Sequence, residues 1–250
     1  MRRLLVLSVS VMFAVLSCGR TNTSREIRVQ VPPIPNGEAS YYSVSVGDQP
    51  TGMMMMSVSS DVFKERPAFR LDLMSRTADG NIETIDSSVV YVTSDSLRPL
   101  SAFRFVRVGA ALTTTATNYV REAAAIATFA AGEEVQRLLP FDGRTFDSDM
   151  LIFLGRAIQL AKDQPVDIKV VNPMGPPAGG GLFEGKIALV GEETVTVPAG
   201  TFDCNKVLLN LGQYIVVTWY EKTGARRLVR YETPRGDVRE VMELLPPPQG

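Results

Sequence analysis

The chain contains no histidine at all. That removes the commonest general base, the commonest zinc ligand and every serine or cysteine triad built on imidazole, so catalysis would fall to carboxylates, lysine or tyrosine. Cysteine is almost as scarce: two residues, Cys18 and Cys204, in a chain of 250. A disulfide-stapled fold is excluded, and a chain of this length can bury a core without one. Charge of one sign is missing too. Lys and Arg number 26 against 27 Asp and Glu, a net charge of −1 without the basic footprint that nucleic acid requires. After Leu16 no apolar run is long enough to cross a bilayer as a helix. Asp142, Asp147 and Asp149 in FDGRTFDSDM depart from the EF-hand spacing and suit turn and cap roles. Glu192 with Glu193, or Glu83 with Asp86, are carboxylate pairs that any surface supplies. The expectation is no catalytic residue, no metal, no cofactor and no enzyme.

What is present begins with an address. MRRLLVLSVSVMFAVLSCGR opens on Arg2 and Arg3, runs apolar from Leu4 to Leu16 and reaches Cys18 through Val15, Leu16 and Ser17. This is the layout of a secretory signal, and its end resembles the lipobox of bacterial lipoproteins. The resemblance implies removal of residues 1–17, lipid attachment at Cys18, and a stable anchor made by several acyl chains. Gly19 stands where an inner-membrane retention signal would place Asp, which points to the periplasmic face of the outer membrane. Residues 18–37, polar and then proline-rich, read as the lipidated N-terminus and its tether. With Cys18 lipidated, Cys204 has no partner, and its setting in GTFDCNKVLLN reads as a small buried hydrophobe on a strand.

From Glu38 the hydrophobic period is two. Tyr42, Val44 and Val46 share one face of EASYYSVSV, and Phe69, Leu71 and Leu73 oppose Arg70 and Asp72 in AFRLDL. Similar segments recur around IETIDSSVVYV, SAFRFVRV, FEGKIALV, CNKVLLNL, YIVVTWYEK, ARRLVRYE and DVREVMEL. They predict an all-β domain over residues 38–245, a mainly antiparallel curled sheet or half-barrel, followed by a flexible tail at 246–250. SDMLIFLGRAIQLAK, residues 148–162, has period 3.6 and predicts one amphipathic helix packed on the sheet. Its buried face is Met150, Phe153, Leu154, Ala157, Ile158 and Ala161; Ile152, Arg156 and Gln159 lie opposite, and Asp147 or Ser148 is the N-cap. NPMGPPAGGG, residues 172–181, reads as a loop.

The run Met53 to Met56 has three readings. On a strand, Met54 and Met56 face one way, and Met53 and Met55 the other. Core packing comes first, then the lining of an apolar cavity, since methionine adapts to irregular partners. A Cu(I) site is the third, disfavoured because thioethers two residues apart on a strand stand parallel at about 7 Å.

GEETVTVPAGTFDCNKVLL, TWYEKTGARRLVRYE and GDVREVMELL together resemble the bacterial exported family known as domain of unknown function 3108. The positions that carry the likeness are Val197, Pro198, Ala199, Gly200, Phe202, Trp219 and Tyr220, and the order of segments extends it to residues 37–245, with 110–146 outside the recognisable motifs. It implies a long curved antiparallel sheet in an envelope protein, similar to periplasmic lipoprotein-carrier folds, without an assigned activity. Two functions follow. One is a binder or carrier of an apolar or lipid ligand, with Met53, Met55, Trp219 and Tyr220 as ligand-binding candidates. The alternative is a structural or protein-interaction lipoprotein without a small-molecule ligand.

Overall fold

The computed structural model describes residues 27–174, 180–212 and 214–248. The signal segment, Cys18, the middle of the loop at 172–181 and the last two residues lie outside them.

Period-two patterning becomes fifteen strands in one sheet. In chain order they are β1 (Glu38–Val46), β2 (Gln49–Phe63), β3 (Arg66–Asp79), β4 (Ile82–Thr93), β5 (Pro99–Val108), β6 (Ala111–Tyr119), β7 (Ala123–Ala130), β8 (Glu133–Pro140), β9 (Thr145–Asp147), β10 (Val166–Asn172), β11 (Gly181–Val197), β12 (Gly200–Asn210), β13 (Ile215–Glu221), β14 (Leu228–Arg235) and β15 (Val238–Leu244). The spatial order is β8-β7-β6-β5-β4-β3-β2-β1-β15-β14-β13-β12-β11-β10-β9. Every neighbouring pair is antiparallel except β9 with β10. The sheet curls without closing: β8 and β9 are its edges, and Arg137 on β8 reaches across to the carbonyl of Gly180, just before β11, at 3.3 Å. The twist natural to long strands produces such a curl.

Inside the curl sit the alternate residues of each strand, among them Val58, Leu71, Val90 and Ile126, all buried. Between β9 and β10 a 3-10 turn (Ser148–Met150) leads into α1 (Leu151–Ala157), which fills the interior with Met150, Phe153, Leu154 and Ala157. Asp147 caps it, accepting from the Asp149 N–H at 2.8 Å. Gly155 lets the helix approach β13: a Cβ there would lie 2.2 Å from the Tyr220 hydroxyl oxygen. The Tyr220 hydroxyl in turn donates to the Ile152 carbonyl at 2.9 Å.

The helix is shorter than its apolar period suggests. It ends at Ala157 because Ile158 turns extended and bridges Val29, with Gln30 N–H on the Ala157 carbonyl and Gln159 N–H on the Arg28 carbonyl. Residues Ile27, Val29, Val31 and Ile34 of the expected tether thus pack against the core. Ala161 is exposed, and Arg156, expected on the wet face, is buried. Its guanidinium meets both Glu38 oxygens at 2.8 and 3.1 Å and the Ala225 carbonyl at 2.6 and 3.0 Å. Among the described residues no helix is long and apolar enough to cross a membrane.

Elsewhere the turn at Pro198 to Gly200 joins β11 to β12 with Gly200 at φ 136°, a value that favours glycine. Cys204 is buried and free, and burial pushes its thiol up to about 11, so it carries no reactive thiolate.

Candidate functional site

The inward faces of β3 and β4 change character along their length. On β3 Leu71 and Leu73 give way to Ser75 and Thr77; on β4 Val92 and Val90 give way to Ser88, Asp86 and Thr84. Register places these polar halves side by side, Ser75 opposite Asp86 and Thr77 opposite Thr84. On β5 the alternation turns Phe103 outward and Arg104 inward, opposite Ser88. One end of the interior is therefore polar by sequence design.

Arg104 organises it. Its Nε and Nη2 donate to the two oxygens of Asp86 at 3.0 and 2.6 Å, and its Nη1 to Asp149 Oδ1 at 2.9 Å. Behind Asp149, Asp147 is fully buried and accepts from the Tyr119 hydroxyl as well as from the Asp149 backbone. Asp149 Oδ2 is buried and has no hydrogen-bond partner among the described residues. Two carboxylates, Asp86 and Asp149, thus share one guanidinium, with the Asp147 carboxyl behind them. Burial, reinforced by the Asp149 charge, holds the Asp147 carboxyl well above the usual carboxylate range. Burial and the Asp86 charge raise Asp149, while Arg104 and the Ser148 and Ser88 hydroxyls pull it down. Burial lowers Arg104, but the Asp86 hydrogen bonds and the surrounding carboxylates outweigh it and keep the guanidinium charged.

In a chain with no imidazole, the Asp147 carboxyl is pushed up to about 7 by burial. A carboxyl raised in the folded state contributes stability that is complete below its unfolded pKa and lost as pH rises through its folded value. Urea unfolding should accordingly show stability falling between about pH 4 and about pH 7, and Asp147→Asn should flatten that slope. An unchanged slope in Asp147→Asn would place the titrating group elsewhere.

The polar residues border a cavity of about 410 Å³, half open to solvent at this end of the curl, whose other wall is Val44, Met54, Leu73 and Met242. A smaller apolar cavity of about 130 Å³ adjoins it, the two sharing Ser148, Ile152 and Tyr231. The first lies at the low end of the roughly 300–1,000 Å³ range of small-molecule sites. Among the described residues no cluster has the make-up of a metal site.

The structure separates the residues expected to bind a ligand. Met53 is exposed and Met55 half-buried on the outer face of β2, and neither lines these cavities; alternation gives that place to Met54, with Met56 in the core. Trp219 and Tyr220 do take opposite faces, yet both are buried. Tyr220 faces inward and lines the smaller cavity. Trp219 faces outward between its cross-strand neighbours Lys206 and Arg230, their cations 4.8 and 5.6 Å from its ring, and its indole N–H donates to Glu193 at 2.7 Å. Long basic stems can cover an aromatic this way. Cys18 lies outside the described residues.

The family described as "Protein of unknown function (DUF3108)" matches residues 41–243, from β1 into β15. The chain belongs to this family. Among solved structures, the DUF3108 chain is similar to a β-barrel-like protein of domain of unknown function DUF1849 from Brucella abortus, at 9% identity and a TM-score of 0.57, covering 87% of this chain and 98% of that one. That likeness is one of fold. A protein with a YmcC-like fold from Bacteroides fragilis matches at 10% identity over the same shares, with a TM-score of 0.32. No curated protein matches the sequence.

Proposed function

We propose that this DUF3108 chain is a binding module of the bacterial envelope, tethered through Cys18, that holds a small amphipathic ligand inside its curled sheet. The observation that carries this is the 410 Å³ cavity with a charged floor and an apolar wall. A structural core would fill such a space or pair its carboxylates one to one. The lining also narrows the ligand. An acyl-chain site would be apolar throughout, whereas half of this wall is hydroxyl, carboxylate and guanidinium, so the occupant has a polar head and a short apolar part. Binding without turnover fits a chain that has no histidine. Delivery to the periplasmic face of the outer membrane fits Gly19 beside the lipidation cysteine.

Native mass spectrometry of the full chain, processed and purified from a bacterial host, tests the reading. A small extra mass released by organic solvent is expected, and Ser75→Trp, which builds an indole into the cavity, should remove it. A bare protein mass in the parent chain, together with no uptake of added small amphiphiles, would overturn the binding function. It would favour partner docking through the outward residues Met53, Met74, Phe103 and Phe129, which are about half exposed.

A further inference from the structure

We propose that the smaller cavity is a tail chamber, which takes one unbranched alkyl chain of about five carbons while the polar head of the same ligand stays in the larger cavity. The proposal rests on the binding function above and names where the apolar part of that ligand goes. The chamber lies between α1 and the inner faces of β11 to β14. Ile187, Leu209 and Val216 stand opposite one another on β11, β12 and β13 and form one row of its wall. Val207, Thr218 and Tyr231 form the next row, which continues from Tyr231 through Met242 to Val44, both in the apolar wall of the larger cavity. Cross-strand neighbours thus make one largely apolar track from the larger cavity into the chamber. On the helix side Leu151 and Ile152 border it and are themselves only half-buried, so α1 holds two large apolar side chains over a space the protein leaves unfilled.

Water suits this space poorly. The Thr218 hydroxyl donates to the Val207 carbonyl at 3.3 Å, the Tyr220 hydroxyl to the Ile152 carbonyl at 2.9 Å and the Ser148 hydroxyl to Asp149 at 3.2 Å. A bound water needs two to four polar partners, and with these groups already engaged it finds few. An apolar group that displaces such water gains affinity. Size then sets the length: a cavity of about 150 Å³ holds a six-carbon ring, so one of about 130 Å³ holds about five carbons. The full acyl chain of a membrane lipid exceeds it. Ser148, Ile152 and Tyr231 belong to both cavities, so the tail passes between a helix residue and a strand residue, which favours an unbranched chain over a bulky one.

The test is a series of 1-alkanols, from ethanol to octanol, titrated into the full processed chain in nonionic detergent and followed by the methyl NMR signals of its isoleucines. Free alcohol concentrations come from a blank of detergent alone. The signals of Ile152 and Ile187 should move, and that of Ile126 on β7 should not. Affinity should rise about fourfold per methylene as far as 1-pentanol and then level off. Neopentyl alcohol, which branches the same five carbons, should bind at least about fourfold more weakly than 1-pentanol. Val216→Phe, which builds a ring into the chamber, should cost 1-pentanol at least about tenfold and leave ethanol unchanged. Because the length series is read on the unaltered protein, it stands even where the variant folds poorly. A rise that continues through octanol, affinity that ignores length, or shifts that spare Ile152 and Ile187 would overturn the chamber. The native mass of the parent chain and of Ser75→Trp decides the binding function by itself, so the two readings fail separately.

Discussion

Arg156→Met should lower the free energy of unfolding by about 3–5 kcal/mol, read from the midpoint of urea denaturation. Arg156 is 4% exposed and holds Glu38, itself 10% exposed, at 2.8 Å. Its remaining N–H groups satisfy the Ala225 carbonyl. Removing the cation strands a carboxylate in the interior, which costs more than the pair contributes. The double variant Arg156→Met with Glu38→Met should therefore recover most of the loss. A single-variant cost below about 1 kcal/mol would instead put this pair with ordinary surface bridges. The interaction matters for the domain because it ties the C-terminal end of α1 to the first residue of β1 and to the turn before β14.

Gly155→Ala should cost about 3 kcal/mol, at the upper part of what overpacking a core imposes. The added Cβ would fall 2.2 Å from the Tyr220 hydroxyl oxygen and 2.5 Å from its ring carbon Cζ, so either α1 or the Tyr220 ring must move. Tyr220 is buried and bonded to the Ile152 carbonyl, which leaves little freedom. Combining Gly155→Ala with Tyr220→Leu should cost less than the sum of the single changes, since the shorter side chain vacates the collision; strict additivity would mean the two residues do not touch. Ile152, shared by both cavities, moves with the helix, so ligand binding should weaken alongside stability.

Where a strand buries one face, its alternation was legible. Tyr42 and Val44 on β1 and Leu71 and Leu73 on β3 point inward as the pattern requires. Strands β6 to β8 were not legible, and the reason is compositional. In AAAIATFA the outward residues Ala123, Ala125 and Ala127 are as apolar as the inward Ala124, so hydropathy carries no period. The helix overran because Ile158 continues the apolar spacing, and nothing local reveals that Val29, far back in the chain, captures it as a strand partner. Asp147 was readable as a cap, a role set by its immediate neighbours. Its neighbour Asp149 was not readable as a site residue, because Arg104 stands 45 positions away and only the curl of the sheet unites them. A signal was nonetheless present: the inward positions of β3 and β4 turn from leucine and valine to serine, threonine and aspartate, which a fully packed interior would not require.

The pairing of β1 with β15 has a consequence for how the domain is assembled. Apart from that seam, every neighbouring pair in the sheet is made of strands consecutive in the chain, so all other pairings close over short distances, whereas Ser43 and Glu243 meet across 200 residues. Loop-closure entropy makes such a contact late and slow, and until it forms β1 presents an open edge beside the methionine-rich β2. The same order shows that the seam is a property of where the chain is cut rather than of the architecture. Joining Leu244 to Glu38 through a short turn and opening the chain between β8 and β9 would give the sequence β9 to β15 followed by β1 to β8. That permuted chain is a meander with every strand next to its neighbour and both termini at the free edges of the sheet.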